Sequence, residues 1–187
     1  MKKLIIALAV VAAGVAANAA SFSWKAQSGY LYDGADTPAK LTSGTAYLMF
    51  TSVMSQSDLV SAFATDAAAA ASTVASKTVN AAPVASNSRI ALTDAFTADV
   101  TANQTAYFVV FNGDNMYVSI EADAPYAAVG ESTISFGSIS SSSKAFNDVA
   151  GGYVGAGWYG ATAVPEPTSG LLLLLGVAGL ALKRKRA

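Results

Sequence analysis

Thr105-Ala106-Tyr107-Phe108-Val109-Val110-Phe111, then Asn112-Gly113-Asp114-Asn115, then Met116-Tyr117-Val118-Ser119-Ile120-Glu121-Ala122 decide the fold of this 187-residue chain. The first and third runs are rich in the β-branched and aromatic side chains that fit a pleated surface. Asn-Gly between them takes up positive φ cheaply, so the unit predicts a β-hairpin. Side chains alternate along a strand, which puts Tyr107, Val109 and Phe111 on one face and Phe108 and Val110 on the other. Both faces are apolar. A strand of that kind belongs in the middle of a sheet with something packed on each side.

Working outward, further short apolar runs sit between Gly, Asn, Asp and Ser clusters at residues 21–26, 30–32, 45–52, 89–92 and 132–137. One helix is expected over 57–71, with Ser57 as cap, Asp58 in the first turn, and Leu59, Ala62, Phe63 and Ala67 on one face. The Ala/Ser/Thr-rich stretch on to residue 88 is ambiguous, since Ala favours helix while the β-branched residues and Pro83 favour an irregular or strand-like course. Trp158 and Tyr159 are expected to close the last strand or pack under the sheet edge. These signals give a mainly β fold: a small antiparallel β-sandwich with one or two short helices.

Composition narrows the chemistry. The chain has no Cys and no His, so thiolate chemistry, disulfides and the commonest general base and transition-metal ligand are absent. Six of the eleven basic residues are Lys2, Lys3, Lys183, Arg184, Lys185 and Arg186. Between Ala20 and Leu182 five cations face all twelve acidic residues, a balance of −7. Such a body repels phosphate backbones, and no nucleic-acid partner is expected. All eighteen aromatic residues lie between Phe22 and Tyr159, so the core belongs to the middle of the chain.

The two ends carry different signals. Lys2 and Lys3 precede an apolar run over residues 4–15, and Ala17-Asn18-Ala19 supplies the small-x-small pattern of a signal-peptidase site, with cleavage before Ala20. At the other end Pro165-Glu166-Pro167 leads into a Leu-rich run that closes on Lys183, Arg184, Lys185 and Arg186. That run alone is short for a bilayer core of about 30 Å. Counted from Pro167 through the basic cluster, whose side chains can snorkel, it reaches roughly that length. The basic cluster is held by the anionic cytoplasmic leaflet, which leaves the body outside. The expected organisation is a signal peptide at 1–19, a mainly β extracytoplasmic passenger at 20–160, a Pro-containing stalk at 161–168, a transmembrane helix at 169–182 and a basic cytoplasmic tail at 183–187.

The order Pro-Glu-Pro, Leu/Gly/Ala helix, basic cluster at the C-terminal end resembles the PEP-CTERM sorting domain over about residues 164–187. The resemblance implies an exosortase as processing enzyme, beside the signal peptidase at the other end. It also implies anchoring in the cytoplasmic membrane by the C-terminal helix before processing, then a place at the cell surface or in the extracellular matrix, in association with exopolysaccharide. It concerns sorting and leaves the work of the passenger open.

Within the passenger, several motifs have an ordinary reading beside a chemical one. Ser141-Ser142-Ser143-Lys144 formally matches Ser-x-x-Lys, yet the partner signatures of that nucleophile are missing and the run reads as a Ser-rich loop. Glu121 and Asp123 stand two apart at a strand end, where glycosidase carboxylates would come from separate strands. Asp33-Gly34-Ala35-Asp36 and the Asn112 to Asn115 turn offer oxygens to Ca²⁺ without EF-hand spacing. Neither a metal nor another cofactor is expected, and no catalytic residue is assigned. Trp24, Tyr30, Tyr32, Tyr126, Tyr153, Trp158 and Tyr159 could form a sugar-binding face, although core packing accounts for most rings of this kind. The expected function is a non-enzymatic surface or matrix protein; a carbohydrate-binding module with exposed aromatics, or a glycan hydrolase, are the alternatives.

Overall fold

A computed structural model describes residues 20–33, 38–98, 104–122, 131–137, 139 and 142–160. The signal peptide, stalk, transmembrane helix and basic tail expected from the sequence lie outside the described residues.

Among the described residues nine strands form two sheets. A three-stranded sheet has the order β4 (Phe96–Ala98), β1 (Ala20–Lys25), β7 (Glu131–Ser135). A six-stranded sheet runs β3 (Asn80–Pro83), β2 (Thr45–Phe50), β5 (Ala106–Asn112), β6 (Asn115–Val118), β9 (Gly157–Gly160), β8 (Phe146–Asn147). The hairpin falls where the sequence puts it, with Asn112 opposite Asn115 and Gly113 at φ +56°. As expected, β5 is central and covered twice. Phe108 and Val110 join Phe22, Trp24 and Ile134 in a core between the sheets. Tyr107 and Val109 join Leu59, Phe63 and Val74 in a second core under the helices, with Phe111 half-buried against it.

Mainly β is right; wholly antiparallel is not. β1 pairs with β7 in parallel, Ser21 opposite Glu131 through Lys25 opposite Ser135, and β8 pairs with β9 in parallel. A parallel pair cannot be closed by a tight turn and needs a long crossover, so no local turn signal announces it. The single helix expected over 57–71 is two helices. Ser55, not Ser57, caps α1 (Gln56–Thr65): its hydroxyl accepts from the Asp58 amide at 3.1 Å and donates to the Asp58 carboxylate at 2.7 Å. Asp66, extended at φ −154°, ends that helix and caps α2 (Ala67–Lys77) by accepting from the Ala69 amide at 2.9 Å. The ambiguous stretch is therefore helix to Lys77 and strand from Asn80, with Pro83 tolerated because β3 is an edge.

Two expected strands shrink to single bridges, Tyr32 with Lys40 and Ile90 with Ala26. β6 also stops at Val118, because the Ser119 hydroxyl accepts from the Phe108 amide at 2.8 Å. A side chain thus fills the place of a ladder carbonyl. Trp158 and Tyr159 are fully buried in β9, and β8, which precedes them in sequence, takes the edge.

Strand direction fixes where the chain leaves the body. Phe22 packs on Phe50 and Trp24 on Phe108, the partner of Leu48, so β1 runs opposite to β2. The C-terminal ends of β1 and β9 and the 112–115 hairpin therefore share one end of the sandwich, with Gly160 opposite Asn115. Ala20 begins β1 at the other end.

Candidate functional site

The chemically suggestive motifs are mostly consumed by structure. Ser143 is buried, its hydroxyl donating to the Tyr30 carbonyl at 2.6 Å and its own carbonyl accepting from the Trp158 indole at 2.9 Å. Lys144 points away, with its ammonium 4.5 Å from the Tyr32 ring centre. The serine of the Ser-x-x-Lys match is Ser141, which lies outside the described residues. Glu121 is exposed just beyond β6, and Asp123 lies outside. One carboxylate oxygen of Asp33 accepts from the Ala39 amide at 3.2 Å, as a turn residue does, and Asp36 lies outside. Asn112 donates its side-chain amide to the Asp33 carbonyl at 2.5 Å, which ties the hairpin to that turn. Among the described residues no three acidic side chains gather as a metal site would require.

Of the seven aromatic candidates, Trp24, Trp158 and Tyr159 are fully buried. Tyr126 lies outside the described residues. Tyr153 is half-buried against Tyr159, with ring centres 6.3 Å apart. Its hydroxyl accepts from Gln56 at 3.0 Å and donates to the Ser119 carbonyl at 3.2 Å. That network joins α1 to the loop after β6.

These phenols report on the core. Burial pushes Tyr153 up to about 12, with Tyr159 and Glu121 adding to the effect. Burial, then the Asp58 charge, raises Tyr107, whose hydroxyl donates to the Met54 carbonyl at 2.9 Å, and burial also raises Tyr159. The unfolded chain ionises its tyrosines near pH 10, whereas the folded chain holds these protons to higher pH. Folded protein therefore binds more protons above pH 10, and stability falls as pH rises from 10 towards 12. The urea midpoint should be flat between pH 8 and 9.5 and drop steeply beyond 10. Tyr153→Phe should soften that drop while lowering the midpoint at pH 8; an unchanged slope would show that another group governs it.

Tyr30 and Tyr32 differ from the rest. They stand on the connection after β1, half-buried, on either side of fully buried Leu31. The Lys40 ammonium lies 3.4 Å from the Tyr30 ring centre and the Arg89 guanidinium carbon 4.9 Å from it. The Arg89 Nε donates to the Gly29 carbonyl at 3.1 Å, which aims the guanidinium. Arg89 itself follows a tight turn in which Ser88 is buried at φ +62°. Sequence reading names the two tyrosines but not their cations. The signal available there was scarcity: Lys40, Arg89 and Lys144 are three of only five cations in the body.

The described part is thus a mixed β-sandwich with two helices on its second face, and its last strand hands the chain to the C-terminal segment. Residues 163–186 match the PEP-CTERM protein-sorting motif. The chain thus carries a PEP-CTERM sorting motif, and the motif implies an exported protein held in the membrane and processed by an exosortase. Pro165, Glu166, Pro167 and Lys183 to Arg186 all fall inside the matched span; these residues, with Ala17 and Ala19, lie outside the described ones. Neither a curated protein nor a solved structure matches the chain.

Proposed function

We propose that the chain is a non-enzymatic surface or matrix protein with a structural or adhesive role linked to exopolysaccharide. The sorting motif at 163–186 carries this reading, because it follows the body after Gly160 with no further domain between them. Signal peptidase releases the N-terminus at Ala20, the C-terminal helix parks the precursor in the cytoplasmic membrane, and an exosortase delivers the body to the surface or matrix. The absence of His and Cys from the chain supports a body built to hold rather than to turn over.

The carbohydrate-binding alternative loses three of its seven rings to the core, and only a reading centred on Tyr30 and Tyr32 keeps support. Fractionation of exosortase-positive and exosortase-deficient cells into membrane, surface and matrix tests the proposal. The body is expected in the matrix or surface fraction of the first strain and in the membrane of the second. The same distribution in both strains would overturn it.

A further inference from the structure

We propose that the corner formed by Tyr30, Lys40 and Arg89, extended by Tyr32 and Lys144, binds an acidic polysaccharide that bears carboxylates along its chain. The inference rests on the surface or matrix reading above and names its partner. In a body of 11 acidic residues and 5 cations, a balance of −6 over 20–160, three of the five cations collect on two neighbouring tyrosines. Lys40 and Arg89 share one ring, and among the described residues none of the three cations has a carboxylate partner. An aromatic quadrupole attracts each cation but only partly offsets the repulsion between them. A carboxylate brought to either cation would neutralise it through charge-assisted hydrogen bonds.

The repeat of the unit points to a polymer. Buried Leu31 turns Tyr30 and Tyr32 to the same outward side, and residues two apart on an extended segment stand about 7 Å from each other. Two aromatic–cation units at that spacing suit a chain of sugars with successive acid groups better than a single anion. The hydroxyls of Tyr30 and Tyr32 make no hydrogen bond among the described residues, which leaves them to sugar hydroxyls.

The frame is already fixed before binding. The Leu31 amide donates to the Ser88 carbonyl at 2.9 Å, the Leu41 amide to the Leu31 carbonyl at 3.0 Å, and Ser143 to Tyr30. Little conformational freedom remains to be lost on association. An anionic membrane is the weaker fit, since two ring-and-cation units repeated along one segment match acid groups joined in a single chain, which separate lipid headgroups do not supply.

The test uses the exported full chain, purified with its tail in detergent, and titrates it with alginate as a polyuronate, with dextran as a neutral glucan, and with phosphatidylglycerol vesicles. Alginate should bind and dextran should not. Lys40→Gln combined with Arg89→Gln should weaken alginate binding at least tenfold. The exposed pair Lys40→Gln and Lys144→Gln should weaken it comparably with an unchanged melting temperature, while Lys77→Gln on α2 should leave it unchanged. No alginate binding, binding unmoved by the exposed pair, or vesicle binding lost with the same substitutions would each overturn the site. Matrix retention in cells is scored in parallel: wild-type protein that stays in the matrix yet ignores alginate refutes this site and leaves the surface reading standing.

Discussion

Trp24→Ala should lower the melting temperature of the body by more than about 10 °C, the largest stability loss expected from any single substitution here. Trp24 sits fully buried on the central strand of the three-stranded sheet, with its ring centre 5.9 Å from Phe108 and 6.0 Å from Phe136. It also ties the sheets together, because its indole donates to the Asn80 side chain on β3 at 2.8 Å. Truncating a buried Trp costs about 3–5 kcal/mol in lost transfer and residual cavity. That is a large share of the roughly 5–15 kcal/mol that holds a domain folded. At roughly 4 °C per kcal/mol, the value between those of smaller and larger domains, the drop exceeds about 10 °C.

Two companion variants separate packing from the hydrogen bond. Trp24→Phe keeps most of the ring and loses the donor, for about 1–2 kcal/mol. Asn80→Ala strands a buried indole N–H, for about 1–3 kcal/mol. Thermal and urea unfolding of all three, with the double variant, isolates the coupling. Equal losses for Trp24→Phe and Trp24→Ala would show that the cross-sheet bond, not the packing, holds the sheets together.

How much of this was legible in the chain follows from how local each feature is. The 105–122 hairpin was legible because its turn, its β-branched runs and its two-faced apolar pattern all lie within one window. The parallel pairing of β1 with β7 was not, because Ser21 and Glu131 are far apart in sequence and the crossover between them carries no turn chemistry that specifies a partner. β3 and β8 were invisible for another reason. Asn80 and Pro83 have poor strand propensity, and tertiary pairing at a sheet edge overrides it. The break between the helices was misread because an Ala-rich run reads as continuous helix, although Asp66 carried the capping signal. The site divides in the same way. The sorting tail is contiguous and was readable in full, whereas residues 30, 32, 40, 89 and 144 meet only after the loops have folded onto one end.

Glu166→Ala should abolish exosortase processing while leaving the precursor in the membrane, so that released product falls to the level of an exosortase-deficient strain. The fold explains why this short segment can be reached. Gly160 ends β9 at one end of the sandwich, and the eight residues from 161 to 168 span about 25 Å if extended as a polyproline-type stalk. Pro165 and Pro167 fix φ on either side of Glu166, and Pro167 suits the first position of the helix that follows. If the expected helix starts at Pro167, its positive end favours the Glu166 carboxylate beside it. Removing it changes the peptide presented to the enzyme but none of the apolar residues of the helix expected over 169–182. Deleting Lys183 to Arg186 acts on the other term. Each basic residue near an anionic leaflet contributes about 1 kcal/mol, so the loss of four removes about 4 kcal/mol of the expected anchoring. That variant should leak from the membrane fraction and be processed poorly, so membrane retention separates it from Glu166→Ala. Immunoblots of membrane, surface and medium fractions in strains with and without the exosortase distinguish the two. If Glu166→Ala is processed like the wild type, recognition resides in the helix and the basic cluster rather than in the Pro-Glu-Pro segment.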